Sequence, residues 1–250
     1  QAAAFSGDGH AAEIDFDDAQ ERLRLDGFTD RHARAFGAAT TRLLRRLTVA
    51  IVGISGTGSP LVEMLVRLGV GRVLLIEPDV INEENLNRII NATRADIGRL
   101  KVDVAAETIE RMGLGAEVVR IPMNISNREV VEAIAEADLV FGCMDGAEGR
   151  SVLNRLATWY LLPYIDVGVK ILADGNGAID EVSTAVHYLQ PGLSSLSGRG
   201  VFTSEEVLAD SLRRTSPEEY ARRRRERYIV GIEETRPAVI SVNFFAASLA

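Results

Sequence analysis

Apolar and polar positions alternate in blocks along most of this chain. Short apolar runs at 48–53, 72–77, 117–122, 138–142 and 164–168 are separated by stretches of helical spacing near 59–69, 99–113, 127–136 and 148–161. Short apolar runs bounded by turn signals fit strands covered on both faces. Their alternation with helical periods predicts an α/β fold with a doubly wound, mostly parallel sheet at 48–170. Residues 16–47 recur at helical spacing and are read as an N-terminal helical arm of two short helices joined near Gly27 to Asp30. Residues 1–15 lack periodicity and read as a flexible tail. Beyond the core, 171–250 forms a crossover and insertion region: AIDEVSTAVHYL (178–189) alternates like a strand, 203–228 is helical and charge-rich, and 237–250 is a final apolar helix.

The first strand-like run, VAIVGISGTGS, breaks into glycines, and the amphipathic PLVEMLVRLGVG leads to a second run that ends on Glu77. The interval from Gly53 to Glu77 is 24 residues, near the spacing of about 20 expected in a nucleotide-binding βαβ unit. The sheet is therefore read as Rossmann-like. Gly53 permits the tight turn, Gly56 and Gly58 let the backbone come close to an anion, and the following helix aims its free N–H groups at the same place. Ser55 stands where the usual G-x-G-x-x-G fingerprint has its second glycine. Ligands bind such sheets beyond the carboxyl ends of the strands, where the strand order reverses. Gly53, Glu77, Asn124 and Asp145 all fall at or just beyond predicted strand ends, so one site is expected.

Further motifs follow in order: E-x-D from Glu77, N-L-N-R from Asn85 to Arg88, G-x-x-K from Gly98 to Lys101 and C-x-D from Cys143 to Asp145. With G-x-S-G-x-G-S, this set resembles the ThiF/MoeB/HesA family and the related adenylation domain of ubiquitin-activating enzymes, over residues 28–170 and the last helix PAVISVNFFAASLA. The resemblance implies an ATP- and magnesium-dependent adenylyltransferase, a homodimer, that activates the C-terminal carboxylate of a ubiquitin-like or sulfur-carrier protein ending in Gly-Gly. Arg88 and Lys101 would hold the β- and γ-phosphates, Asp145 a magnesium ion, and Glu77 the ribose hydroxyls. Asn85 would donate to phosphate, and Gly53, Gly56, Gly58 and Asn124 would complete the nucleotide site. Arg31, in DRHARAFG, matches the arginine that reaches the other subunit's nucleotide in family dimers. The region between sheet and final helix would clamp the substrate tail. PGLSSLSGRG matches the stretch that carries a C-x-x-C half-site for zinc, but holds Ser195 and Gly198 there, so no structural zinc is expected.

Plainer readings stand beside these. Glu77 resembles the acidic turn formers common at strand ends, Asp145 can cap the following helix, and Arg31 can be a surface arginine on a packing helix. A nicotinamide-dependent dehydrogenase would use the same glycine turn and Glu77, but gives no reason for Arg88, Lys101 and Asp145 together. Two further alternatives are a scaffold half of a heterodimeric activating enzyme, and adenylation of a peptide or RNA-nucleoside carboxylate.

Composition narrows the partners. With 46% hydrophobic residues among 250, the chain can bury a proper core; its net charge of −8 and pI of 5.1 argue against broad nucleic-acid binding. The run Arg222 to Arg225 sits in a mixed-charge helical segment and reads as a solvated face. One cysteine, Cys143, excludes disulfides and four-cysteine zinc sites within the chain, and its place at a strand end two residues before Asp145 suits packing rather than thioester chemistry. His10, His32 and His187 show no metal or triad spacing. No apolar run approaches the roughly 20 residues of a membrane span, and nothing resembles a signal peptide, so a soluble cytoplasmic protein is expected. The chain opens at Gln1 and stops at Ala250 inside an apolar helical run, compatible with a piece of a longer protein.

Overall fold

β1 (Thr48–Val52) is the strand most enclosed by its neighbours: Val49, Ala50 and Ile51 are 0% exposed and Val52 3%. In the computed structural model, which describes residues 27–174, 176, 178–226, 228–229 and 238–250, β1 pairs in parallel with β2 (Arg72–Ile76) on one edge and β4 (Leu139–Gly142) on the other. β3 (Glu117–Ile121) extends the sheet beyond β2, β5 (Tyr164–Ala173) lies beyond β4, and the antiparallel β6 (Ile179–Leu189) forms the far edge. The order β3-β2-β1-β4-β5-β6 is that of a doubly wound, Rossmann-like sheet. The winding reverses between β1 and β4, and the crevice of such a sheet opens at that point.

Side-chain alternation on β1 assigns the helices to two layers. Val49 and Ile51 face α3 (Gly58–Leu68) and α4 (Lys101–Met112), through Leu61, Val62, Leu65, Val102 and Ala106. Ala50 and Val52 face α5 (Arg128–Ala135) and α6 (Ala147–Trp159), through Val130, Ile134, Leu153 and Leu156. The apolar runs are continuous for this reason, since each face of the sheet meets a helix layer. Each fully buried Ile or Leu contributes roughly 1.5–3 kcal/mol. The final helix, α9 (Ile240–Leu249), packs Ala246 and Ala247 into the α3 layer.

The strands and helices of the core agree with the sequence pattern to within two residues, except that β5 runs on to Ala173. The insertion resolves into α7 (Ser204–Thr215) and α8 (Pro217–Arg225), which share a small core of Ala209, Tyr220 and Ile229. Arg222 and Arg223 bond Glu219 at 2.8 and 2.6 Å on an exposed face. The arm differs from expectation. The chain forms two compact units divided after Arg42, and the described part of the first is a 3-10 turn (Gly27–Thr29), α1 (Asp30–Phe36) and the start of α2 (Ala38–Arg46). Gly37 divides the second predicted arm helix into α1 and α2, and the stretch expected to join the two predicted helices opens the described residues as the 3-10 turn. The tail 1–15 and the first predicted arm helix lie outside the described residues.

One contact fixes how closely the first helix approaches the sheet. A Cβ built on Gly58 would stand 1.8 Å from the carbonyl oxygen of Gly53. Backbone cannot yield as a flexible side chain can, so α3 begins on a glycine. Gly58→Ala is expected to lower stability by on the order of 2–4 kcal/mol, read as a lower midpoint with unchanged slope in urea unfolding.

Candidate nucleotide site

An open cleft of about 670 Å³ lies at the carboxyl ends of β1, β2 and β4. Gly53, Glu77, Asn85, Arg88, Lys101, Asn124 and Asp145 line it together, although they come from four separate connections. The turn that begins it is tight: Gly53 has φ +95°, and a Cβ there would meet the Cys143 carbonyl at 2.6 Å. Its N–H donates to Ile76 O at 2.9 Å, which ties the turn to β2. Gly56 and Gly58 do not line the cleft. Both are buried, and packing explains their missing side chains: Gly58 admits the Gly53 carbonyl, and a Cβ on Gly56 would stand 2.4 Å from Asn243 Nδ2 and 3.0 Å from Arg88 Cδ. The N-cap residue of α3, Thr57, makes no side-chain capping bond. The expected set of free N–H donors is nevertheless not found there: Ser59 N–H donates to Ser55 O at 2.9 Å, Pro60 has no N–H, and Leu61 N–H donates to Thr57 O at 3.4 Å.

Charge in the cleft is arranged around Glu77, which is 7% exposed. Its Oε2 accepts from Ile54 N–H at 3.0 Å and its Oε1 from Asp79 N–H at 3.2 Å, so the carboxylate braces the glycine turn against the end of β2. Burial pushes this carboxyl above the usual range, and the neighbouring Lys101 cation opposes the shift. Lys101, also 7% exposed, holds Nζ 3.1 Å from Asp79 Oδ2 and 3.7 Å from Glu77 Oε1. Arg88 donates Nη1 to Glu84 O at 2.8 Å and to Asn87 Oδ1 at 3.1 Å. Asn85 is 5% exposed and its Oδ1 accepts from Asn82 N–H at 3.2 Å. That bond fixes the amide orientation and leaves Nδ2 as the donor to a ligand. Asn124 Oδ1 accepts from Ser126 N–H and Oγ at 3.0 and 2.8 Å, an Asx turn at the rim.

Asp145 is exposed at the cleft wall, on the loop between β4 and α6. Among the described residues no group of three or more His, Cys, Asp or Glu forms a metal cage. The donor set suits a magnesium ion carried in on nucleotide phosphates, since that ion keeps several waters and takes one or two carboxylates with phosphate oxygens. Cys143, the residue that closes the Gly53 turn, is 7% exposed, and burial pushes its thiol far above the ordinary range. A thiol held protonated this way is a poor nucleophile.

The insertion supplies a wall that no motif foretold. Asp210, Arg213 and Arg214 of α7 line the cleft opposite the β2 side. Asp210 Oδ2 accepts from Glu148 N–H at 3.1 Å, which caps α6 from another element, and Arg214 meets the Glu148 carboxylate with two bonds at 2.9 and 2.7 Å. The loop of PGLSSLSGRG is docked as well: Leu196 is 0% exposed, and its N–H donates to Asn154 Oδ1 at 2.8 Å. Where the resemblance suggested a zinc half-site, Gly198 N–H donates to Ser195 Oγ at 3.0 Å. Beneath β4 and β5, Asp166 is 1% exposed and accepts from Tyr164 Oη at 2.8 Å and Arg150 Nε at 3.1 Å. Arg31 lies on α1, in the first unit.

With this geometry in hand, the sequence profile described as the ThiF family matches residues 29–193. The chain belongs to the ThiF family. Adenylyltransferase and sulfurtransferase UBA4 of Meyerozyma guilliermondii is 30% identical over 131 residues, covering 52% of this chain and 31% of that protein. Sulfur carrier protein adenylyltransferase of Thermus thermophilus is 30% identical over 136 residues, covering 54% of this chain and 50% of that one. The chain spans half or less of the length of these two relatives. Among solved structures, E. coli MccB with MccA-N7isoASN superposes with a TM-score of 0.68 at 18% identity, over 94% of this chain and 66% of that one. That likeness concerns the fold, and it extends past the residues of the ThiF match into the insertion.

Sequence reasoning missed Asp210, Arg213 and Arg214: the partner of Asp210 and Arg214, Glu148, lies more than 60 residues away in the chain, and Arg213 is placed only by the helix that those two fasten. The only local signal was the mixed charge of 203–228. Hydrogen bonds from Arg214, against the opposing effect of burial, hold the Glu148 carboxyl below the ordinary 4.5. A lowered carboxylate value stabilises the folded state above the ordinary glutamate range and is lost as pH falls through the folded value. The ion pair is partly exposed, so its contribution is no more than about 1 kcal/mol. Arg214→Met is expected to return Glu148 toward 4.5, read by carbon NMR titration of its carboxyl.

Proposed function

We propose that this ThiF-family chain binds ATP in the cleft and uses it to adenylate a carboxylate, the C-terminal carboxylate of a ubiquitin-like or sulfur-carrier protein. The observation that carries this reading is the convergence of Glu77, Asn85, Arg88, Lys101 and Asp145 on one cleft at the winding reversal. A dehydrogenase needs the glycine turn and Glu77 but not two buried or half-buried cations and an exposed acid around them. The names of the relatives from Meyerozyma and Thermus include adenylyltransferase activity, and the Thermus name includes the carrier.

The chemistry is a meeting of two anions. A carboxylate oxygen attacks the α-phosphorus, the bond from that phosphorus to the bridging oxygen breaks, and pyrophosphate leaves with the electron pair. The product is a mixed acyl-phosphate anhydride. Few proton transfers are required, so alignment and positive charge lower most of the barrier. Arg88 and Lys101 would hold the β- and γ-phosphates, with Lys101 turning from Asp79 and Glu77 toward the ligand. Asn85 Nδ2 would bond a phosphate oxygen, and Glu77 would accept from the ribose while bracing the turn. Asp145 would hold the magnesium ion, which supplies charge neutralisation when bound. Arg31 would act on the nucleotide of a second copy, so a homodimer is part of the proposal. Because Cys143 is the chain's one cysteine and is buried, the acyl group would leave as the adenylate or pass to a group outside this sequence.

Exchange of labelled pyrophosphate into ATP tests the reading, with candidate carrier proteins ending in Gly-Gly. Exchange is expected to require the carrier and to fall by on the order of a hundredfold or more in Lys101→Ala and in Asp145→Ala. Exchange that is absent with every carrier although ATP binds would favour the scaffold reading or another carboxylate.

A further inference from the structure

The adenylation reading needs positive charge in two places, one for the triphosphate and one for the incoming carboxylate. Arg88 and Lys101 both belong to the connection between β2 and β3, on one side of the Gly53 turn. On the other side, beyond β4, the cleft wall is the insertion helix α7. Asp210, Arg213 and Arg214 are spaced i, i+3 and i+4, so they share one face of that helix, and all three line the cleft.

Two of the three are committed to the α6 N-terminus. Asp210 takes the Glu148 N–H and Arg214 takes the Glu148 carboxylate. These bonds set the rotation of α7, and its own start is fixed by a capping box in which Thr203 Oγ1 accepts from Glu206 N–H at 3.2 Å. Arg213 lies between the two fastened residues, exposed, with no hydrogen bond or ion pair among the described residues. An arginine held at a cleft wall by its neighbours and left without an anion is arranged to receive one. A planar guanidinium suits a carboxylate, which it can grip with two parallel bonds.

We propose that Arg213 binds the substrate carboxylate that is to be adenylated, and that Asp210 and Arg214 position it by fastening α7 to the loop that carries Asp145. Two anions brought to within a few ångströms repel, and they repel more strongly in a half-enclosed cleft than in water. Arg213 offsets that repulsion on the carboxylate side, as Arg88 and Lys101 do on the phosphate side. The insertion thereby contributes to substrate choice: it selects a free carboxylate over an amide or ester. This assignment rests on the adenylation reading and adds the residue that holds the second substrate.

The test is calorimetric, with the non-hydrolysable analogue AMPCPP and a synthetic hexapeptide ending in Gly-Gly, as free acid and as C-terminal amide, each peptide titrated with and without AMPCPP. The wild-type chain is expected to bind the acid about tenfold or more tightly than the amide, the ratio typical of a charge-assisted bond pair. Arg213→Ala is expected to bring that preference close to one while changing AMPCPP affinity much less, and Arg213→Lys to keep part of it. Three results overturn the assignment: no preference for the acid in the wild-type chain, a preference that survives Arg213→Ala, or an equal loss of AMPCPP affinity, which would make Arg213 a nucleotide ligand. Failure of the adenylation reading would show differently, as a wild-type chain that does not bind AMPCPP at all.

Discussion

β1 has no free side. It is hydrogen-bonded on both edges and covered on both faces, and the chain can continue from it only by crossing over a layer of helices. The first crossovers carry the chain to β2 and β3, and the later ones carry it to β4 and β5 on the opposite side. A crevice at the carboxyl end of β1 follows from that reversal of winding. The close approach of Gly53 to Cys143 on one side and to Gly58 on the other sets its floor. Glu77 braces this floor, Lys101 pairs beside it, and Asp145 follows Cys143 by two residues.

In this acidic chain of net charge −8, two of the cations that line the cleft are paired with acids. Lys101 sits between Asp79 and Glu77, and Arg214 grips Glu148. Burial alone would penalise the Glu77 carboxylate and the Lys101 ammonium, and each reduces the penalty of the other. An anionic ligand with more negative charge than Asp79 can displace that acid from Lys101. The bonds of Arg214 and Asp210 to Glu148 likewise hold the insertion helix as the cleft wall beyond β4.

The core was legible in the sequence because burial on both faces leaves continuous apolar runs and each crossover leaves a helical period. Glu77 and Asp145 were legible because they sit just beyond strand ends, whereas Arg88 and Lys101 lie deep in the connection after β2 and were legible only through the N-L-N-R and G-x-x-K resemblance. Gly56 and Gly58 were singled out for close approach to an anion, whereas the structure explains their missing side chains by packing against Arg88, Asn243 and Gly53. The arm was harder to read: a run of alternating polarity does not say where a short helix breaks, and Gly37 interrupts what the pattern alone leaves continuous. Asp210, Arg213 and Arg214 were not legible, since nothing local distinguishes a helix face that meets a cleft from one that meets water.

The central claim is that this crevice recognises a triphosphate, with Arg88 and Lys101 reading the charge beyond the α-phosphate. Calorimetric affinities for ATP and for AMP, on the wild-type chain and on Lys101→Ala, test it most directly. The account predicts that ATP binds at least about tenfold more tightly than AMP and that the gap narrows sharply in Lys101→Ala while AMP affinity changes little. Equal affinity for ATP and AMP in the wild-type chain, or tighter binding of NAD than of ATP, would contradict it.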